Sequence, residues 1–91
     1  MICTFRHKGL QRFYTTGSKA GIIPSLARKL RQQLDVLDAA SVTDDIALPG
    51  YDFHPLSGTP RRYSIHVNGP WCLTFRFEDG DAYDLDLENY H

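Results

Sequence analysis

Residues 63–91 read YSIHVNGPWCLTFRFEDGDAYDLDLENYH and contain three runs in which apolar and polar side chains alternate. Turn residues separate the runs at Asn68-Gly69-Pro70 and at Asp79-Gly80. A period of two is typical of strands that bury one face, so the pattern predicts a three-stranded antiparallel sheet. One face carries Tyr63, Ile65, Val67, Trp71, Leu73, Phe75, Phe77, Tyr83, Leu85 and Leu87, and the other carries Ser64, His66, Cys72, Thr74, Arg76, Asp84 and Asp86. We expect this second, polar face to be wet and to hold any chemistry.

The alternation also predicts how the last two strands pair, because directly opposed residues share a face. A two-residue loop at Asp79-Gly80 would place Arg76 opposite Tyr83 and mix the two faces. We therefore predict a loop of about three residues. It would place Phe77 against Tyr83 and Arg76 against Asp84, where an ion pair is expected.

The first hairpin follows the same reasoning. Asn68-Gly69 resembles a tight type I′ turn, but Pro70 favours an extended Gly69. A loop of about three residues would match Val67 with Trp71 and keep both on the apolar face.

Residues 1–62, before this sheet, are predicted to form a short strand, two helices, a helical turn and a second strand. Pro24 is suited to the first turn of a helix, and Gly17 is a plausible residue just after one. The predicted order is a strand at 1–5, helices at 9–16 and 24–40, a helical turn at 43–47, a strand at 51–56, and the three strands above. This order, β-α-α-β-β-β-β, predicts an α+β fold with two helices packed on one face of a mainly antiparallel four- to five-stranded sheet.

Length and composition exclude several classes of protein. Ninety-one residues predict one small domain spanning 1–91. No apolar stretch is long enough to cross a bilayer, and charges near the start stand where a signal peptide would be apolar, so we expect a cytoplasmic protein. Cys3 and Cys72 do not form a disulfide framework and are expected to be free thiols. We expect no metal or other cofactor.

The net charge of −1 conceals a strong asymmetry along the chain. Residues 1–34 carry seven Lys or Arg and no acid, whereas residues 78–91 carry six acids. Two interpretations of the basic segment stay open: it contacts a phosphate backbone, or it is an ordinary solvated helix face.

Several short motifs resemble those of one known family. They are FRHKGL at 5–10, LDAA at 37–40, LPG at 48–50, HPL at 54–56, SIHVNG at 64–69, Trp71, TFRF at 74–77, DGDAY at 79–83 and the final Tyr90-His91. Their order and spacing resemble the HigB toxins of the RelE/ParE superfamily over essentially the whole chain.

The resemblance implies a toxin, neutralised by a small helix-turn-helix antitoxin, that cleaves mRNA at the ribosome without a metal. In such toxins the catalytic groups are the His of His-Pro-Leu, a Lys three residues later, an Arg after a Trp, and a terminal Asp-Tyr-His. The matching residues here are His54, Tyr90 and His91. We expect them to act as acid/base and substrate-orienting groups.

Three positions depart from that pattern. Ser57, Cys72 and Asn89 stand where the family has Lys, Arg and Asp. Two cations are thereby missing from the place where phosphate charge must be stabilised, which leaves nuclease activity in doubt.

Other cations are candidates for phosphate and RNA contact. We predict phosphate contacts for Arg76 together with Arg61 or Arg62. Contacts with ribosomal RNA or the antitoxin are predicted for a helix face carrying Arg28, Lys29 and Arg31.

The sequence therefore supports a ribosome-dependent mRNA endoribonuclease as the first hypothesis. The alternative is a catalytically weakened or inactive module that binds its antitoxin and regulates its operon, or, like ParE, blocks a protein target. A thiol nucleophile at Cys72 with His66 across the hairpin, and a metal site at Asp84 and Asp86, are much weaker alternatives.

Overall fold

The computed structural model describes residues 1–89. It contains two helices, α1 (Lys8–Thr16) and α2 (Ala27–Ala39), and short 3-10 turns at Pro24–Leu26 and Thr43–Asp45. Four strands, β1 (His54–Pro55), β2 (Tyr63–Asn68), β3 (Trp71–Glu78) and β4 (Asp81–Asn89), form one antiparallel sheet in the order β1-β2-β3-β4. The predicted α+β architecture is confirmed. Within residues 1–89, no helix is long and apolar enough to cross a membrane.

Helix α1 is fixed by its caps and by two buried side chains. The His7 Nδ1 accepts a hydrogen bond from the Leu10 N–H at 3.0 Å, and Gly17 ends the helix in the left-handed conformation. Leu10 and Phe13 are buried in the core. Gly9 packs so closely on Gly21 that a Cβ on Gly9 would lie 2.1 Å from the Gly21 carbonyl oxygen. The backbone of α1 therefore rests directly on the loop that precedes α2.

Helix α2 covers the apolar face of the sheet. Its stripe of Leu30, Leu34 and Leu37 is fully buried and forms one core with strand residues such as Phe75. Gln33 is buried as well, and its Nε2 donates to the His66 carbonyl oxygen at 2.8 Å. The helix layer is thereby attached to β2 by both apolar packing and a directed hydrogen bond.

The predicted register is confirmed in the body of both hairpins, but both loop lengths were wrong. Opposed pairs include Ile65 with Leu73, and Leu73 with Leu87, as the shared faces require. Each loop has two residues, Gly69-Pro70 and Asp79-Gly80. A bulge in each hairpin takes up the extra residue, so the tight turns do not mix the faces farther along the strands.

The first bulge places both Val67 and Asn68 opposite Trp71. Gly69 has a φ of 56° rather than the extended conformation predicted from Pro70. A positive φ at the first loop residue is the requirement of a type II′ turn, which glycine meets without strain.

The second bulge lies at Asp84, whose φ is 53°. Asp79 and Gly80 both have positive φ, as a type I′ turn requires. Arg76 therefore lies opposite Tyr83, the pairing that the three-residue loop was meant to avoid.

The two outer segments are less regular than predicted. Instead of a regular strand, residues 1–5 make isolated parallel bridges from Ile2 to Ala82 and from Phe5 to Leu85. Between the bridges, the Asp84 N–H donates to the Thr4 hydroxyl rather than to a backbone carbonyl, because the bulge interrupts β4 there. In the predicted strand at 51–56, only residues 54–55 form a regular ladder, since Asp52 has a φ of 48°.

Candidate active site

The strand register brings polar side chains into two rows across the polar face. One row contains His54, Ser64, Thr74 and Asp86, and the next contains His66, Cys72 and Glu88. The prediction that this face is wet was wrong at its centre, because Ser64 and Thr74 are fully buried. The centre of the polar face is therefore buried and carries hydroxyl groups, and ionisable groups lie around it.

His54 is exposed on the edge strand β1, and a backbone contact sets its tautomer. Its Nδ1 lies 2.7 Å from the carbonyl oxygen of Asp52. A carbonyl oxygen only accepts, so Nδ1 carries the hydrogen and the neutral ring has an unprotonated Nε2. The left-handed conformation of Asp52 turns that carbonyl toward the ring. His54 is therefore oriented with Nε2 able to take a proton, and this nitrogen has no hydrogen bond in the described part of the chain.

Arg62 occupies the centre of the polar face. Its Nη2 donates to the Thr74 hydroxyl at 3.1 Å and to the Asp84 carbonyl at 2.9 Å. The Thr74 hydroxyl in turn donates to Glu88 Oε2 at 2.5 Å. Burial lowers the pKa of Arg62, with a further contribution from Arg6, while nearby carboxylates including Glu88 oppose the shift. This chain of contacts joins the segment just before β2 to β3 and β4 through directed bonds.

Two polar atoms near this chain of contacts are buried without a hydrogen-bond partner among residues 1–89. They are the Arg62 Nη1 and the Ser64 Oγ. Both atoms are able to donate, and Ser64 lies directly opposite His54 in the pairing of β1 with β2.

Arg76 forms the predicted ion pair with Asp84, at 3.1 Å between Nε and Oδ2. It also pairs with Glu78 at 2.7 Å, and its guanidinium lies 4.7 Å from the centroid of the Tyr83 ring. The hydrogen bond from Arg76 is the main cause that holds the pKa of Asp84 below its usual range. Arg76, which we predicted to bind phosphate, is thus engaged by two carboxylates.

Cys72 is a half-buried free thiol whose backbone lies opposite His66 and Glu88. The Nε2 of His66 is 2.9 Å from the Gly69 carbonyl oxygen, so this nitrogen donates and stabilises the β2–β3 turn. No hydrogen bond in the described part of the chain joins the sulfur to His66. Ser57 and Asn89, the other two altered positions, are exposed.

The predicted RNA-binding cations lie in different surroundings. Arg31 pairs with Asp35 at 3.6 Å and lies 5.6 Å from the Tyr14 ring centroid. Arg28 and Lys29 are exposed on the outer side of the helix layer, across the sheet from the polar face. Arg61 is exposed beside Arg62 and has no ion pair among the described residues.

Three groups of the site were not predicted from the sequence: Thr74, Glu88 and the Asp52 carbonyl. A signal for Glu88 was present, since it continues the two-residue spacing of Asp84 and Asp86. No residue pattern marks the Asp52 carbonyl, because its position depends on a backbone conformation. Tyr90 and His91, the predicted tail groups, lie outside the described residues.

Comparison with known proteins places these features in one family. A model of RelE-like toxins of the type II toxin-antitoxin system HigB matches residues 3–91. The chain is 36% identical over 92 residues to "Endoribonuclease HigB" of Proteus vulgaris, covering 100% of both chains. It is 34% identical to "Toxin HigB-1" of Vibrio cholerae, covering 97% of this chain and 96% of that one. The chain therefore belongs to the HigB family of RelE-like toxins of type II toxin-antitoxin systems, which implies an antitoxin as its partner.

Proposed function

We propose that this toxin is a metal-independent endoribonuclease that cuts mRNA on the ribosome in the cytoplasm and so inhibits translation. The observation that carries the proposal is the orientation of His54, whose Nδ1–H is bound to the Asp52 carbonyl while Nε2 has no hydrogen bond within residues 1–89. The end-to-end similarity to a protein named as an endoribonuclease supports the same reaction.

In the proposed reaction, the 2′-hydroxyl oxygen of a ribose attacks the adjacent phosphorus atom. His54 Nε2 takes the hydroxyl proton as the new P–O bond forms. The bond from phosphorus to the 5′-oxygen breaks, and an acid protonates that oxygen. The products are a 2′,3′-cyclic phosphate and a free 5′-hydroxyl.

We assign the acid to His91 and the orientation of the substrate to Tyr90, by their match to the family's terminal motif. Arg61 is the exposed cation next to the polar face and is the proposed phosphate ligand, with Arg62 beside it. Arg76 would have to leave Asp84 and Glu78 to reach a phosphate.

The second candidate function is a toxin-fold module that binds its antitoxin without cutting RNA. It is favoured by the position of Cys72, a free cysteine opposite Glu88 where the family has an Arg. Loss of one donor that stabilises developing charge typically lowers the rate by about 10² to 10³. The neutral residues at Ser57 and Asn89 would weaken the site further.

The test is to induce the chain in bacteria that lack the antitoxin, and to measure growth and map mRNA 5′ ends. We expect growth arrest and cuts at ribosome-bound codons. His54→Ala should lower cleavage by about 10² to 10⁴, the usual contribution of a general base.

The double variant Cys72→Arg, Asn89→Asp separates the two functions. If the parent neither arrests growth nor cuts mRNA and this variant does both, the native site is inactive and the binding-module function stands. Equal cleavage by the parent and His54→Ala would contradict the assigned role of His54.

A further inference from the structure

Helix α1 presents a donor-rich surface that the proposed reaction does not use. Lys8, Gln11, Arg12 and Thr15 are all exposed, and together they line an open depression of about 350 Å³. Their spacing of three and four residues places them on one side of the helix, opposite the buried Leu10 and Phe13. We call these four residues the α1 face.

The cations of the α1 face differ from Arg31 and Arg76 in having no carboxylate partner among the described residues. Neither Lys8 nor Arg12 has an ion pair among residues 1–89, whereas Arg31 and Arg76 are each bound to carboxylates. No acid occurs in residues 1–34, so the helix itself supplies no counter-charge. The positive charge of the α1 face is therefore available to an anionic ligand.

The α1 face begins at the rim of the polar face of the sheet. The backbone N–H groups of Arg6 and His7, immediately before α1, both donate to the Leu85 carbonyl oxygen on β4. Arg6 is close enough to Arg62 and Asp84 to influence the pKa of each. From Lys8 to Thr15 the helix rises about 10 Å, which is the length of surface that the α1 face offers to an extended ligand.

The chemistry of the α1 face distinguishes two kinds of anionic partner. A protein partner is held mainly by buried aromatic and aliphatic anchors, whereas phosphate groups are held by cations, amides and hydroxyls. Among the described residues, the exposed large apolar side chains are Met1, Ile23, Val42 and Leu48, and none belongs to α1. The four residues of the α1 face supply only groups of the second kind.

We propose that the α1 face binds the phosphate backbone of single-stranded RNA that extends from the candidate active site. This inference rests on the proposed RNA substrate. Contacts of this kind fix the position of the strand and carry no sequence preference. They would hold the substrate on a protein that has lost two cations of the family's catalytic pattern.

The test measures binding of a fluorescent twelve-nucleotide oligouridylate to the full chain carrying His54→Ala, by anisotropy over a range of salt concentrations. Each phosphate contact to a single strand contributes about 0.7 to the slope of log K against log salt. We expect Lys8→Gln with Arg12→Gln to lower the magnitude of the slope by about 1.4 and the affinity by about 25-fold near 0.1 M salt. Lys8→Gln alone should lower the slope by about 0.7.

Lys19→Gln is the matched control, because it removes one exposed lysine charge outside the α1 face. It should leave the slope unchanged. The inference is overturned if Lys19→Gln has as large an effect as Lys8→Gln, since net charge would then explain binding. It is also overturned if the parent does not bind the RNA, or binds a polyglutamate peptide of equal length as tightly.

Failure of this inference can be distinguished from failure of the proposed function, because one test measures binding and the other measures cleavage. Cleavage by the parent with no effect of the α1 substitutions on binding would overturn this inference and leave the nuclease proposal standing. If RNA binding depends on Lys8 and Arg12 but the parent never cuts mRNA, the nuclease proposal is overturned and this inference stands.

Discussion

The two faces of the sheet are both buried at their centres, but different forces hold them. Phe75 and Thr74 are neighbours on β3, both have 0% of their surface exposed, and they point to opposite faces. Phe75 packs among leucine side chains of the core. Thr74 lies between the Arg62 guanidinium and the Glu88 carboxylate.

This difference shows which features of a sheet can be predicted from residue type alone. Apolar packing has no required partner, so an alternating pattern is sufficient to place nine of the ten predicted side chains on one face. The exception is Tyr83, which the bulge places opposite Arg76 while Ala82 is buried instead. A hydrogen bond requires a specific donor and acceptor within about 3 Å. The polar face therefore depends on side-chain directions that the alternation does not specify.

The largest expected effect is on the apolar face. Phe75→Ala removes a fully buried ring and should lower the free energy of unfolding by about 3–5 kcal/mol, measured by chemical denaturation. Phe77→Ala, at a half-buried position on the same strand, should lower the free energy of unfolding by less than Phe75→Ala does. A loss under about 1 kcal/mol for Phe75→Ala would show that the helix layer does not close over this face.

On the polar face, Thr74→Val keeps the side-chain shape and removes the hydroxyl that links Arg62 to Glu88. We expect the free energy of unfolding to fall by about 1–3 kcal/mol, because hydrogen bonds to charged groups are lost. Ser64→Ala is the control, since the Ser64 Oγ is buried without a partner among the described residues. If Ser64→Ala destabilises the protein more than Thr74→Val does, the bonds through Thr74 are not what holds this face.

The smallest expected effect is at the rim, where Asp84 pairs with Arg76. The folded-state pKa of Asp84 is lowered, mainly by the hydrogen bond from Arg76. The pair therefore stabilises the fold above the usual carboxyl pKa, and this contribution is lost as the pH falls through the folded-state pKa. Asp84→Asn should cost about 0.2–1 kcal/mol at pH 7, the range for exposed pairs, and nothing in acid below that pKa.

The measurement is urea denaturation of the parent and Asp84→Asn at pH 7 and in acid. Asp79→Asn is the control, because it removes one negative charge at another position with positive φ. A destabilisation by Asp84→Asn that is equally large at both pH values would indicate a backbone effect at the bulge rather than a lost ion pair.

Much of the fold could be predicted because each element carries its own signal. Gly17 ends α1 as expected, and the leucine stripe of α2 is buried as its spacing predicts. The predicted loop lengths were wrong because each hairpin contains a bulge, which the alternating pattern does not reveal. Both turns are tighter than predicted, and the bulges at Val67 and Asp84 restore the register that the apolar pattern requires.

The candidate site was predictable in its location and less so in its contacts. Residue spacing placed Cys72 and Arg76 on the polar face, and the Arg76–Asp84 pair was predicted correctly. The central position of Arg62 was not predicted, because its side chain crosses to Thr74 and to a carbonyl of β4, more than ten residues away along the chain. The assigned catalytic roles of His54, Tyr90 and His91 stay predictions until they are tested by mutation.

The sequence by itself determined the helices, the faces of the strands and membership of the HigB family, since periodicity and motif order are properties of residue type along the chain. Only the tertiary structure decided the two bulges, the burial of Ser64 and Thr74, and the orientation of His54 by the Asp52 carbonyl. The physical reason is that these features depend on backbone conformation and on directed bonds between segments distant in sequence. Such bonds form only after apolar packing has brought the strands together.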